Sequence, residues 1–85
     1  MNSDPAEQAI LDVLAARAGK SICPSEAARV LTGSPKDESW RRGMAPVRLA
    51  YIRLAAAGRI EILRKGKPVA PAAARGVVRL RLVGE

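Results

Sequence analysis

Three times in its first 37 residues the chain sets a proline two positions ahead of an acid: Asp4-Pro5-Ala6-Glu7, Cys23-Pro24-Ser25-Glu26 and Ser34-Pro35-Lys36-Asp37. Each pattern reads as a helix start. Proline suits the first helical position, where its missing N–H has no intrahelical partner to lose. The acid at the third position can accept from the cap N–H and faces the positive end of the helix. Asp4 and Ser34 are also good N-caps. Starts 19 and 11 residues apart leave room for short helices joined by tight turns.

The first helix is expected over Pro5–Ala18. Ala6, Ile10, Val13, Leu14 and Arg17 follow its inward spacing, and Gly19 suits the left-handed residue that closes it. Ser21-Ile22 is long enough only for a stub of extended chain. The second helix is expected over Pro24–Leu31, with Ala27, Val30 and Leu31 inward, and Thr32-Gly33-Ser34 as a tight turn. A short helix, a glycine-bearing turn and a new helix start form a helix-turn-helix pattern.

The third helix begins near Pro35 or Ser39 and ends at Gly58. At 100° per residue, Trp40, Met44, Val47, Tyr51 and Leu54 share one narrow stripe, the core face. Arg41 and Arg48 flank that stripe, while Arg42 and Arg53 lie opposite it. Pro46 removes a helix hydrogen bond and crowds the carbonyl of Arg42. A kink or restart is therefore expected between Gly43 and Pro46, and two helices, Pro35–Gly43 and Pro46–Ala57, are the alternative.

Beyond Gly58, Ile60 and Ile62 alternate with Glu61, and Val78, Leu80 and Leu82 alternate with Arg79 and Arg81. Both segments read as half-buried strands. Antiparallel pairing places Glu61 on the outward face with Arg79 and Arg81. The 13-residue connection from Arg64 to Gly76 exceeds a tight hairpin turn and carries Arg64, Lys65, Lys67 and Arg75. Within it, Lys65-Gly66-Lys67 resembles a turn, and Pro71–Ala74 suits one helical turn. The expected fold is thus mostly α with a small β-hairpin: a winged helix-turn-helix of three helices plus an antiparallel wing. Ser21-Ile22 would add to the hairpin edge. Residues 1–85 are expected to form a single domain, with residues 1–3 disordered.

Charge narrows the partners. Residues 1–40 hold four basic and six acidic side chains, a net of −2; residues 41–85 hold eleven basic and two acidic, a net of +9. A positive field confined to the second half points to a polyanion, with nucleic acid first. One cysteine and no histidine leave neither an internal disulfide nor an ordinary zinc site. Cys23 is read as a thiol in the place of a Ser or Thr N-cap. Without histidine, a carboxylate pair in an apolar setting or a phosphate-cradling glycine loop, an enzyme is not expected, nor is a cofactor. No apolar run approaches the roughly 18 residues of a membrane helix, and no signal pattern precedes the first helix. The expectation is a cytoplasmic, bacterial protein.

Several segments together resemble a small uncharacterised bacterial family, a domain of unknown function. They are Ile22–Arg29, Trp40-Arg41, Met44–Pro46, Val47-Arg48, Ala57–Glu61, Lys65-Gly66, Val69–Pro71 and Ala74–Leu80. Val77 departs from that pattern, where proline is more usual, and so does Met-Ala-Pro in place of Met-Pro. The resemblance implies a winged-helix-like fold and no established activity.

Candidate contacts follow from exposure and charge. A recognition helix turns its outer face to the major groove, so Arg42 and Arg53 are the first candidates and Arg41 and Arg48 the flanking ones. Asp37 and Glu38 oppose phosphates there unless they pair with Arg41 and Arg42 one helical turn on. In the wing, Arg64, Lys65, Lys67 and Arg75 are placed to grip phosphates; Arg75 has a second use in holding the wing's shape. Trp40 and Tyr51 are read as core rather than stacking platforms. The expected function is double-stranded DNA binding through the third helix and basic wing. A winged-helix module for an acidic protein partner is the alternative, and RNA would use the same charges. Oligomeric state is left open.

Overall fold

The structure, a computed structural model, describes residues 4–17, 19–33, 38–74 and 76–83. Residues 1–3, the third proline start at Ser34–Asp37, Ala18 and Arg75 lie outside these, as does any pairing through Asp37 or the Glu38 side chain.

Helix α1 spans Pro5–Ala16. Asp4 caps it as expected, its carboxylate accepting the Ala6 N–H at 2.8 Å. The helix stops short of Ala18 because the Arg17 N–H turns back to the carbonyls of Val13 and Leu14, both at 3.1 Å. Gly19 then takes a φ of 74°, open to glycine without strain. Helix α2 spans Pro24–Thr32. The Glu26 carboxylate accepts the Cys23 N–H at 2.9 Å, and Glu26 also pairs with Arg17 at 2.6 Å, tying the start of α2 to the end of α1. The Ser25 hydroxyl donates to the Cys23 sulfur at 3.2 Å, so the thiol belongs to the cap.

One inward residue of α2 differs from expectation. Val30 is 55% exposed, and Ala28 is fully buried in its place. The reason is steric. A 3-10 segment η1, Glu38–Gly43, lies against α2 so closely that a Cβ added at Gly43 would stand 3.1 Å from the Ala28 carbonyl oxygen. It would also stand 3.3 Å from the Ala28 Cα and 3.0 Å from the Thr32 methyl. Only a small residue on α2 admits that approach. The backbone at Gly43, φ −81° and ψ −12°, suits any residue, so Gly43→Ala tests sterics alone. We expect it to lower stability by about 1–2 kcal/mol in urea unfolding, overpacking outweighing the loss of glycine entropy. An unchanged or raised midpoint would mean the contact yields freely.

Helix α3 spans Met44–Ala56. The expected restart thus falls at Gly43, and Pro46 becomes the third residue of α3. Its missing N–H is one of the first four, which have no partner within a helix. Val47, Ala50, Tyr51 and Leu54 are buried. Trp40 and Met44, expected on the same stripe, are half-buried and pack on its margin. A 3-10 segment turns 120° per residue rather than 100°, so the stripe does not carry back through η1.

The chain turns at Gly58 into strand β1, Ile60–Arg64, followed by β2, Lys67–Val69, a 3-10 turn η2, Pro71–Ala73, and β3, Arg79–Leu82. The sheet is antiparallel in the order β2-β1-β3. β1 and β3 pair as expected, with Glu61 opposite Arg81 and joined to it by hydrogen bonds of 2.8 and 3.1 Å. Ile22 bridges Leu80 through two backbone bonds of 2.8 Å, making Ser21-Ile22 the edge stub. β2 is the departure. The long connection is not one open loop: Arg64 pairs with Lys67 around the two-residue turn Lys65-Gly66, and the chain crosses back through η2. Ile10, Leu14, Ile22, Val47, Ile62 and Leu80 are the largest fully buried side chains, drawn from helices and sheet alike. Three α-helices and a small three-stranded antiparallel sheet, among the described residues, make this a mostly α fold with a wing-like hairpin. Among the described residues, no helix is long and apolar enough to cross a membrane.

Candidate nucleic-acid interface

The projecting hairpin is built around a strained apex. Both turn residues have positive φ, 53° at Lys65 and 80° at Gly66, which matches the right-handed twist of the flanking strands. Glycine adopts this freely. Lysine does not, and its left-handed conformation costs about 1 kcal/mol. The apex therefore holds a cation where asparagine would sit more easily. Arg64 and Lys67, paired at the base of the turn, are exposed beside it.

From the apex the cationic surface continues toward α3. The Arg64 guanidinium lies over Gly76, one of its nitrogens 4.0 Å from where a Cβ would stand. Gly76 and Ala74 line a shallow depression with Met44, Ala45, Arg48 and Tyr51 of α3. Arg48, Gly76, Arg64 and Lys65 are thus neighbours in turn across one face. Burial pushes the Tyr51 phenol above its ordinary pKa, and the nearby Arg48 charge opposes that shift to a smaller degree. A second cleft opens between Leu63, Arg64, Lys65 and Gly66 on one side and Ser21, Val77 and Arg79 on the other. Arg79 is held there by bonds of 2.8 Å to the Ser21 hydroxyl and 2.9 Å to the Ser21 carbonyl.

The cations expected from sequence fall into distinct groups. Arg48, Arg64, Lys65 and Lys67 are exposed, and no carboxylate among the described residues pairs with them. Arg42 is exposed in η1 and likewise has no such partner. Arg41 lies over the Trp40 ring at 5.7 Å, with Arg29 over the same ring at 5.1 Å. Both distances are within cation–π reach. Arg75 lies outside the described residues. Arg53, counted from the sequence among the outward cations, is engaged instead. It pairs with Glu7 at 2.9 Å and with Asp4, fastening the last turn of α3 to the start of α1. Its charge is balanced by two carboxylates.

Arg79, expected on the outward sheet face with Glu61, anchors the stub. One feature departs from the expected interface: the outer face of α3 is apolar. Ala45, Leu49 and Ala56 are exposed and Ile52 is half-buried, with Leu49 at 59%. Their 4-3-4 spacing is a second helical stripe, legible in the sequence but overshadowed by the stronger one that fills the core.

A family model described as "Protein of unknown function (DUF3253)" matches residues 3–83, and the chain belongs to that family. No curated protein matches the chain.

Proposed function

We propose that this member of the family binds duplex DNA, through the hairpin apex and the adjoining flank of α3, and that its role is binding rather than catalysis. The observation that carries the reading is the contiguous surface of Arg48, Arg64, Lys65 and Lys67, unpaired among the described residues, at one end of which a lysine is held in a strained turn. Such cations displace counterions from phosphates, so binding should weaken steeply with salt. Anisotropy on random-sequence duplex across a salt series tests this. Affinity no better than millimolar at low salt, with no salt slope, would sink it. Competition with structured RNA separates the two nucleic acids.

Lys65→Asn adds a test with opposite signs. Asparagine tolerates the left-handed turn, so stability should rise by about 0.5–1 kcal/mol. Removal of the cation should at the same time weaken binding and reduce the salt slope by about one unit. A variant that gains stability and keeps full affinity would remove Lys65 from the interface. A second reading, a module for an acidic protein partner, draws on exposed Leu49. It predicts Leu49-dependent protein association without duplex affinity.

A further inference from the structure

The outer stripe of α3 is unusual for a helix bordered by cations. At 100° per residue, Ala45, Leu49, Ile52 and Ala56 fall within an arc of about 60°, opposite the buried Val47, Ala50, Tyr51 and Leu54. No hydrogen-bonding side chain lies within that arc. Arg48 stands on the flank nearer the cationic surface, and Arg53, on the other flank, is tied to Asp4 and Glu7. The stripe projects one leucine, part of an isoleucine and two alanines. That is far less than the roughly 800 Å² each partner contributes to a stable protein interface. Self-association would also bring together two chains of net charge +7.

A duplex fits the stripe better. The stripe spans twelve residues, about 17 Å, and the major groove is about 12 Å wide, enough to admit a helix. With the stripe on the groove floor, Arg48 faces a bounding phosphate strand and the hairpin cations continue along it. An apolar face cannot satisfy the donors and acceptors of guanine, cytosine or adenine. The one apolar group exposed on the groove floor is the C5-methyl of thymine.

We propose that α3 reads thymine methyl groups through Leu49, with Ala45 and Ile52 beside it, so that the chain favours thymine-bearing steps in DNA. This rests on the duplex-binding reading above and adds the feature that is read. It also selects DNA over RNA, because uracil lacks the methyl and the deep, narrow major groove of A-form RNA excludes side chains.

The test compares four alternating duplexes by anisotropy with the full chain: A·T, A·U, G·C and G·5-methylcytosine. The last pair places the same methyl at the same groove position without changing the hydrogen-bonding edge. Wild type should prefer T over U, and 5-methylcytosine over cytosine, by about three- to fivefold per covered methyl. Leu49→Ala should lower both ratios toward one, weakening binding to the A·T duplex more than to the A·U duplex. Leu49→Gln serves as a second variant, and melting curves confirm that both fold. Equal binding to T and U, or ratios that survive both variants, overturns the proposal while duplex binding stands. A preference for A·T over G·C with no response to 5-methylcytosine also overturns it, in favour of groove shape. Absence of binding to every duplex overturns the reading beneath it. Self-association in sedimentation that Leu49→Ala abolishes assigns the stripe to a protein contact and overturns the proposal.

Discussion

Leu80→Ala is expected to lower stability by about 2–5 kcal/mol, enough to unfold much of a small domain at physiological temperature. Leu80 is fully buried, and its backbone is held on both sides, opposite Ile62 in β1 and bonded to Ile22 at 2.8 Å in both directions. The strand therefore cannot close over the missing atoms without breaking ladder bonds, and a cavity remains. A chain this small buries a modest fraction of its surface, so little stability is held in reserve. In thermal unfolding, each kcal/mol lowers Tm by about 4–8 °C for a domain of this size. A drop of a few degrees or less would mean that the core relaxes around this position. Val77→Ala is the control: Val77 is 87% exposed, and its truncation should stay within about 0.5 kcal/mol.

Replacing Arg64, Lys65 and Lys67 together by glutamine is expected to weaken duplex binding by about 10- to 100-fold at low salt. It should reduce the salt slope by about one unit for each phosphate no longer neutralised. All three side chains are exposed, so the fold should persist and the melting curve serves as the check. The effect should be uniform across DNA sequences, since phosphate contacts carry no sequence information. Unchanged affinity and slope would exclude the hairpin from the interface. Weakening confined to certain sequences would mean that these residues reach base edges instead.

These two substitutions divide along a line that runs through the molecule. Leu80 belongs to a pattern visible without the structure. Alternation of Val78, Leu80 and Leu82 against Arg79 and Arg81 marks a strand with one buried face, and the same logic places Glu61 on the outward face with Arg79 and Arg81. The first two proline-and-acid starts, the restart ahead of Pro46, the glycine-bearing turn at Thr32-Gly33 and the η2 turn are equally local. Each depends on capping, a backbone dihedral or the period of an element, and all of those are set by residues within a few positions of one another.

What the sequence did not disclose depends on contacts between distant residues. β2 was hidden because it is a three-residue edge strand, mostly exposed and containing Pro68, so it shows no alternation. It exists because β1 offers it a ladder. Arg53 looked free because its partners Glu7 and Asp4 stand 46 and 49 residues away. Val30 looked buried because a short helix has two plausible inward faces, and the close approach of Gly43 to Ala28 selected the other one. On α3 the sequence carried two apolar stripes, and only packing against α1, η1 and the sheet decided that Val47, Tyr51 and Leu54 go inside while Leu49 stays out. Local patterns determined which elements form, because their energies come from neighbouring residues. The tertiary structure decided which charges remain unpaired and which apolar face remains uncovered, because those depend on which surfaces come to lie against one another.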